Sequence, residues 1–109
     1  MTFTFDVERL FVDERNCIII PITPSLKIDR DWFIEAKSSI ENSNRNYPHN
    51  SCHFEVIENP YPAFGVSDYL INYIVHHPYG NCDAKLVEED MEKQKILFEN
   101  LTRDANENL

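Results

Sequence analysis

Six side chains able to hold a soft metal or to act as nucleophile and base crowd into one 34-residue stretch of this 109-residue chain: His49, Cys52, His53, His76, His77 and Cys82. They are all four of its histidines and two of its three cysteines. Imidazole and thiolate are the ligands zinc prefers, and a strand followed by a helix end could gather four of them. The spacing argues against it. There is no Cys-x-x-Cys, and Cys52 and His53 are strand neighbours whose side chains leave opposite faces. His76 and His77 diverge by about 100° on a helix, so each adjacent pair offers one ligand per ion.

A Cys–His nucleophile meets the same objection within each pair, while a long-range pair such as Cys82 with His53 depends on the fold. With only Gly65 and Gly80, the chain has no phosphate-cradling loop and no dinucleotide fingerprint. The expectation is no metal, no cofactor and no enzymatic activity. Cys52 then belongs to the core, His77 to a helix C-terminus where a cation is favoured, and His49, His53 and His76 to the solvated surface. The competing expectation is a zinc-binding or Cys/His enzyme built on residues 49–82.

The elements that would position these groups follow from hydrophobic period. Phe3, Phe5 and Val7 alternate with Thr2, Thr4 and Asp6, which predicts a half-buried strand over Thr2–Val7. Asp13–Asn16 reads as a turn. The β-branched run Cys17–Ile20 then reads as a strand covered on both faces, which Pro21 weakens or ends. A β-hairpin opens the chain. Asp29 can cap a helix from Arg30 to about Asn42, with Trp32, Phe33, Ala36 and Ile40 along one stripe.

Residues 43–51, broken by Tyr47–Pro48, form a loop, and Cys52–Ile57 alternates as a third strand that Pro60 and Pro62 terminate. From Ser67 to His77 the wheel carries Leu70, Ile71, Ile74 and Val75 on a wide apolar arc and Asp68, Asn72 and His76 on a narrow polar one. That predicts a central core helix stopped by Pro78. Asp83 caps a last helix to about Arg103, with Val87, Met91, Gln94, Phe98 and Leu101 in its stripe and Ile96 on its charged face. Asp90 falls within the apolar arc, as a satisfied carboxylate at the core margin or as a contact to a second chain.

The fold class expected is therefore α+β. It is a single small domain over 1–103, with a mainly antiparallel sheet of about three strands (a β-hairpin, then a helix, then a strand) packed with two to three helices. Residues 104–109 read as a disordered acidic tail. Three cysteines cannot all pair, the N-terminus lacks the pattern of a secretion signal, and no apolar run could span a bilayer, so a cytoplasmic location is expected.

Charge bounds the partners. Nineteen Asp and Glu against ten Lys and Arg give a formal net charge of −9, which repels nucleic acid and anionic membrane and attracts basic protein surfaces. Glu88, Glu89, Asp90 and Glu92 form the densest acidic run, either a solvated helix face or a recognition surface. Tyrosines beside prolines, at Tyr47, Tyr61 and Tyr79, sit in stiff loops that lose little entropy on binding. The expected function is stoichiometric binding to a basic protein surface, with Glu88, Glu89, Asp90 and Glu92 mimicking phosphates and Tyr61 and Tyr79 as anchors. Its sharpest form is an inhibitor or immunity protein that blocks a nuclease or nucleic-acid-binding defence complex; a structural subunit of a complex is the plainer form.

Overall fold

The computed structural model describes residues 1–46, 52–61, 67–76 and 84–109, with side chains from 91 onward in the last of these. In chain order the elements are β1 (Phe3–Phe5), a 3-10 turn (Val7–Arg9), β2 (Phe11–Val12), β3 (Ile18–Pro24), α1 (Arg30–Asn46), β4 (Cys52–Glu58), β5 (Tyr69–Val75), α2 (Ala84–Leu101) and α3 (Arg103–Glu107). The fold is α+β. Among the described residues all strand pairs are antiparallel in one sheet ordered β1-β3-β5-β4, with β2 also on β3, so five strands stand where about three were expected. Among the described residues no helix is long and apolar enough to cross a membrane.

The opening hairpin forms for local reasons. Asp13 Oδ1 accepts hydrogen bonds from the backbone N–H of Arg15 at 3.0 Å and of Cys17 at 2.9 Å, closing the turn between β2 and β3. Asn16 takes the left-handed φ of 63° that the turn requires, a conformation its short polar side chain tolerates. Only Phe3–Phe5 of the expected first strand pairs, because the chain leaves the ladder at Asp6 for the 3-10 turn.

Pro21 neither weakens nor ends β3, contrary to expectation. Its carbonyl accepts from Asp6 N at 2.8 Å, so its nitrogen faces the same side, where β1 gives way to the 3-10 turn. The missing donor therefore costs no bond to β5, and Pro21 still pairs with Asn72.

The largest departure is β5. Residues 67–77 were expected as a helix, and Tyr69–Val75 is instead an inner strand between β3 and β4. A seven-residue run with five aromatic or β-branched side chains satisfies both periods, and burial on both faces decides for the strand. Ile71, Tyr73 and Val75 face the helices, while Ile74 joins Cys17 and Ile19 in a small cluster on the opposite face. Asn72, assigned to a polar arc, donates to Glu55 Oε2 at 3.4 Å on that same opposite face.

Helix α1 starts as expected, with Asp29 Oδ1 accepting from Trp32 N at 2.8 Å, and Trp32, Phe33, Ala36 and Ile40 all buried. It runs one turn further than predicted, because Asn44 Nδ2 donates to Phe54 O at 3.0 Å and ties its last turn to β4. Residues 47–51 of the expected loop lie outside the described residues.

In α2 the Phe98 ring is fully buried between Phe3 and Phe54, at centroid distances of 4.7 and 4.9 Å. Burial of a ring this size is worth about 1.5–3 kcal/mol. Ile96 is 60% exposed, as its place on the charged face requires. The stretch expected as a disordered tail forms α3 instead. Buried Thr102 donates through Oγ1 to Phe98 O at 2.9 Å, Ala105 is buried, and Trp32 Nε1 donates to Asn106 Oδ1 at 2.8 Å.

Candidate functional site

Of the side chains expected to bind a partner, Tyr61 and Glu92 are the two among the described residues. Tyr61 is 85% exposed and its backbone is held, with Asn59 Oδ1 accepting from Tyr61 N at 3.1 Å and Asn59 Nδ2 donating to Ser67 O at 3.0 Å. It follows the Glu58 end of β4. Gln94 of α2 lines a cleft with Ser43, Asn44, Cys52, His53, Phe54 and Leu97 at the other end of that strand, and Glu92, two residues before it, is exposed. The length of β4, about 20 Å, separates Tyr61 from that cleft. Glu88, Glu89 and Asp90 lie on α2 with side chains outside the described set, as does all of Tyr79.

Among the described residues the exposed carboxylates do not gather on one element. Exposed acids sit on the 3-10 turn (Glu8), the β2–β3 turn (Glu14), α1 (Asp31, Glu35, Glu41), β4 (Glu58), α2 (Glu92, Glu99) and α3 (Asp104, Glu107). Among the described residues the ion pairs are Arg15–Asp13 at 3.0 Å, Arg30–Glu58 at 3.8 Å and Lys37–Glu41 at 3.9 Å.

A feature that sequence reasoning missed is an apolar ribbon along one sheet edge. Val7 and Leu10 are each 40% exposed, Phe11 51% and Val12 56%, all on the short path from the 3-10 turn through β2. On β2, Phe11 and Val12 pair inward with Ile19 and Ile18 of β3. No described strand lies on the outer side of β2. Asp6, Glu8, Asp13 and Glu14 border the ribbon, against Arg9 within the same stretch. The sequence signal was available as Leu10-Phe11-Val12, an apolar triplet whose place in the fold its neighbours did not specify.

A second feature lies on the sheet face opposite the helices. Cys17 immediately precedes β3, His76 immediately follows β5, and His53 is the second residue of β4. The register pairs Ile18 with Val75 and His53 with Ile74, which brings the three side chains to one end of one face. Cys17 Sγ lies 3.3 Å from His76 Nδ1, and His76 Nε2 lies 2.8 Å from His53 Nδ1. The imidazoles stack at 4.6 Å, 22° from parallel. Cys17 is buried.

His53 and His76 are thus half-buried partners, a correction to their expected place in solvent. Cys52 packs against the helix-side core, on the face opposite His53. Among the described residues no three His, Cys, Asp or Glu side chains are grouped to hold a metal. His49, His77 and Cys82 lie outside the described residues.

The charges around this array are ordered. Burial holds the His53 imidazole below its ordinary proton affinity, the neighbouring His76 adds to the effect, Glu55 opposes it, and Arg15 contributes in the lowering direction. Asp13 is held below the ordinary carboxylate range, first by the Cys17 N–H it accepts and further by Arg15. Arg15 is pushed upward by its hydrogen bonds to Asp13, with smaller attractions to Cys17 and Glu55. A thiol within reach of an imidazole that a third group orients is the arrangement that activates sulfur nucleophiles. Compared with protein families, with curated proteins and with solved structures, the chain matches none of them, so its function is read from its own residues.

Proposed function

We propose that this chain is a stoichiometric protein-binding module that docks an apolar, acid-rimmed sheet edge onto a basic surface of another protein. The observation that carries this reading is the exposure of Val7, Leu10, Phe11 and Val12 along one edge. Large apolar side chains that a fold leaves together in water mark interaction surfaces, and an apolar centre with a polar rim is the anatomy of such surfaces. The rim sets the sign of the partner: between positions 6 and 15 four carboxylates stand against Arg9 and Arg15, the latter paired with Asp13, and the remaining negative charge favours cationic groups opposite.

A protein whose groove binds nucleic acid offers such a surface, so a blocker of a nuclease or nucleic-acid-binding defence complex is the sharpest form of the proposal. Tyr61, held out at the far end of β4, is a second anchor on a separate surface, and the acids of α2 act through the overall field. The test is recovery of a basic partner on immobilised protein, set beside a Phe11→Asp, Val12→Asp double variant. The expected result is retention by the native chain and loss by the variant, with thermal unfolding of the two chains alike. Equal retention by the folded variant would remove the edge as the docking site.

A further inference from the structure

Cys17, His76 and His53 each come from a different strand, and their polar atoms fall in a line on the face opposite the helices. The contacts are 3.3 Å from Sγ to Nδ1 of His76 and 2.8 Å from Nε2 of His76 to Nδ1 of His53. With both rings neutral and the thiol donating, the hydrogen bonds run one way: S–H to His76 Nδ1, then His76 Nε2–H to His53 Nδ1. We propose that Cys17 is a peroxide-reactive thiol and that His76 and His53 are its proton relay.

The step balances within these residues and one hydroperoxide. The S–H proton moves to His76 Nδ1 as the Nε2 proton moves to His53 Nδ1, leaving a thiolate at Cys17 and the positive charge on His53. Burial and the His76 imidazole disfavour charge on His53 while Glu55 favours it, so the charge-separated pair is the minor, reacting form and the neutral relay the resting one. The thiolate attacks one peroxide oxygen; the S–O bond forms and the O–O bond breaks, its electron pair going to the departing oxygen. That oxygen takes the proton back from His76 Nδ1, and His53 returns its own to His76 Nε2. Sulfur is oxidised by two electrons to the sulfenic acid, and hydrogen peroxide is reduced to water.

Three observations select this chemistry. Cys17 is only 4% exposed, so a bulky acyl donor or disulfide is excluded and any reagent has to be as small as hydrogen peroxide. Its backbone is pinned by Asp13 Oδ1 at 2.9 Å, so the sulfur keeps its aim at the imidazole. Arg15, fixed by two bonds of 3.0 and 3.1 Å to Asp13 Oδ2, keeps its guanidinium on the turn that leads into Cys17.

The experiment exposes purified protein to hydrogen peroxide and dimedone near neutral pH and follows adducts by peptide mass, so that each cysteine is read separately. Cys17 is expected to be trapped about tenfold or more faster than free cysteine. His76→Asn should bring the rate down to about that of free cysteine, and His53→Gln should lower it several-fold, with folding checked by circular dichroism. A Cys17 rate no greater than that of free cysteine overturns the proposal. So does a folded His76→Asn variant that keeps the native rate. Should His76→Asn not fold, His53→Gln decides, and an unchanged rate there overturns the relay.

Discussion

His53 loses proton affinity in the fold because its ring is partly removed from water, and because a second imidazole stacked on it competes for the same proton. Its folded pKa therefore lies below the ordinary value of 6.5, and between the two the unfolded chain binds more protons than the folded one. The sign follows: this contribution to stability is intact above the unfolded value and is lost as pH falls through it towards the folded value. Urea unfolding between about pH 7.5 and 5.5 should show stability falling with pH, and His53→Gln should flatten that slope. Glu55 works in the opposite direction, so Glu55→Gln should steepen the loss. A native slope that His53→Gln leaves unchanged would assign the pH dependence to other groups.

At the scale of elements, the C-terminal helix gives a sharp prediction because it was expected not to exist. Removing residues 103–109 deletes Ala105 from the core and leaves Trp32 Nε1 without the Asn106 acceptor 2.8 Å away. Loss of one buried hydrogen bond with a small apolar contact should cost about 1–3 kcal/mol, read as a lower urea midpoint; an unchanged midpoint would mean that the helix is not docked. Helix α1 was legible in the sequence because four apolar residues at helical spacing follow a capping aspartate, two signals that agree. Strand β5 was not, because a seven-residue run apolar except at Asn72 fits either period and the arbiter is burial on both faces, a tertiary fact. The thiol–imidazole array was hidden for the same reason. Cys17 and His76 are 59 positions apart, and only the pairing of β3 with β5 makes them neighbours.

For the whole molecule the decisive quantity is charge. A net charge of −9, with the exposed carboxylates of the described residues spread over strands, turns and helices, produces a broad negative field. Such a field accelerates encounter with a cationic partner from many directions, whereas lifetime in the complex depends on the apolar side chains that leave water. The two contributions separate by kinetics. Raising salt from about 0.05 M to 0.5 M shortens the screening length several-fold, so the association rate should fall by about tenfold while the dissociation rate changes little. Phe11→Asp should do the reverse, adding negative charge yet speeding dissociation, because the ribbon that excludes water is broken. Surface plasmon resonance on the isolated partner measures both rates. If salt were to act on dissociation and Phe11→Asp were silent, the carboxylates themselves would form the contact and the sheet edge would be a bystander.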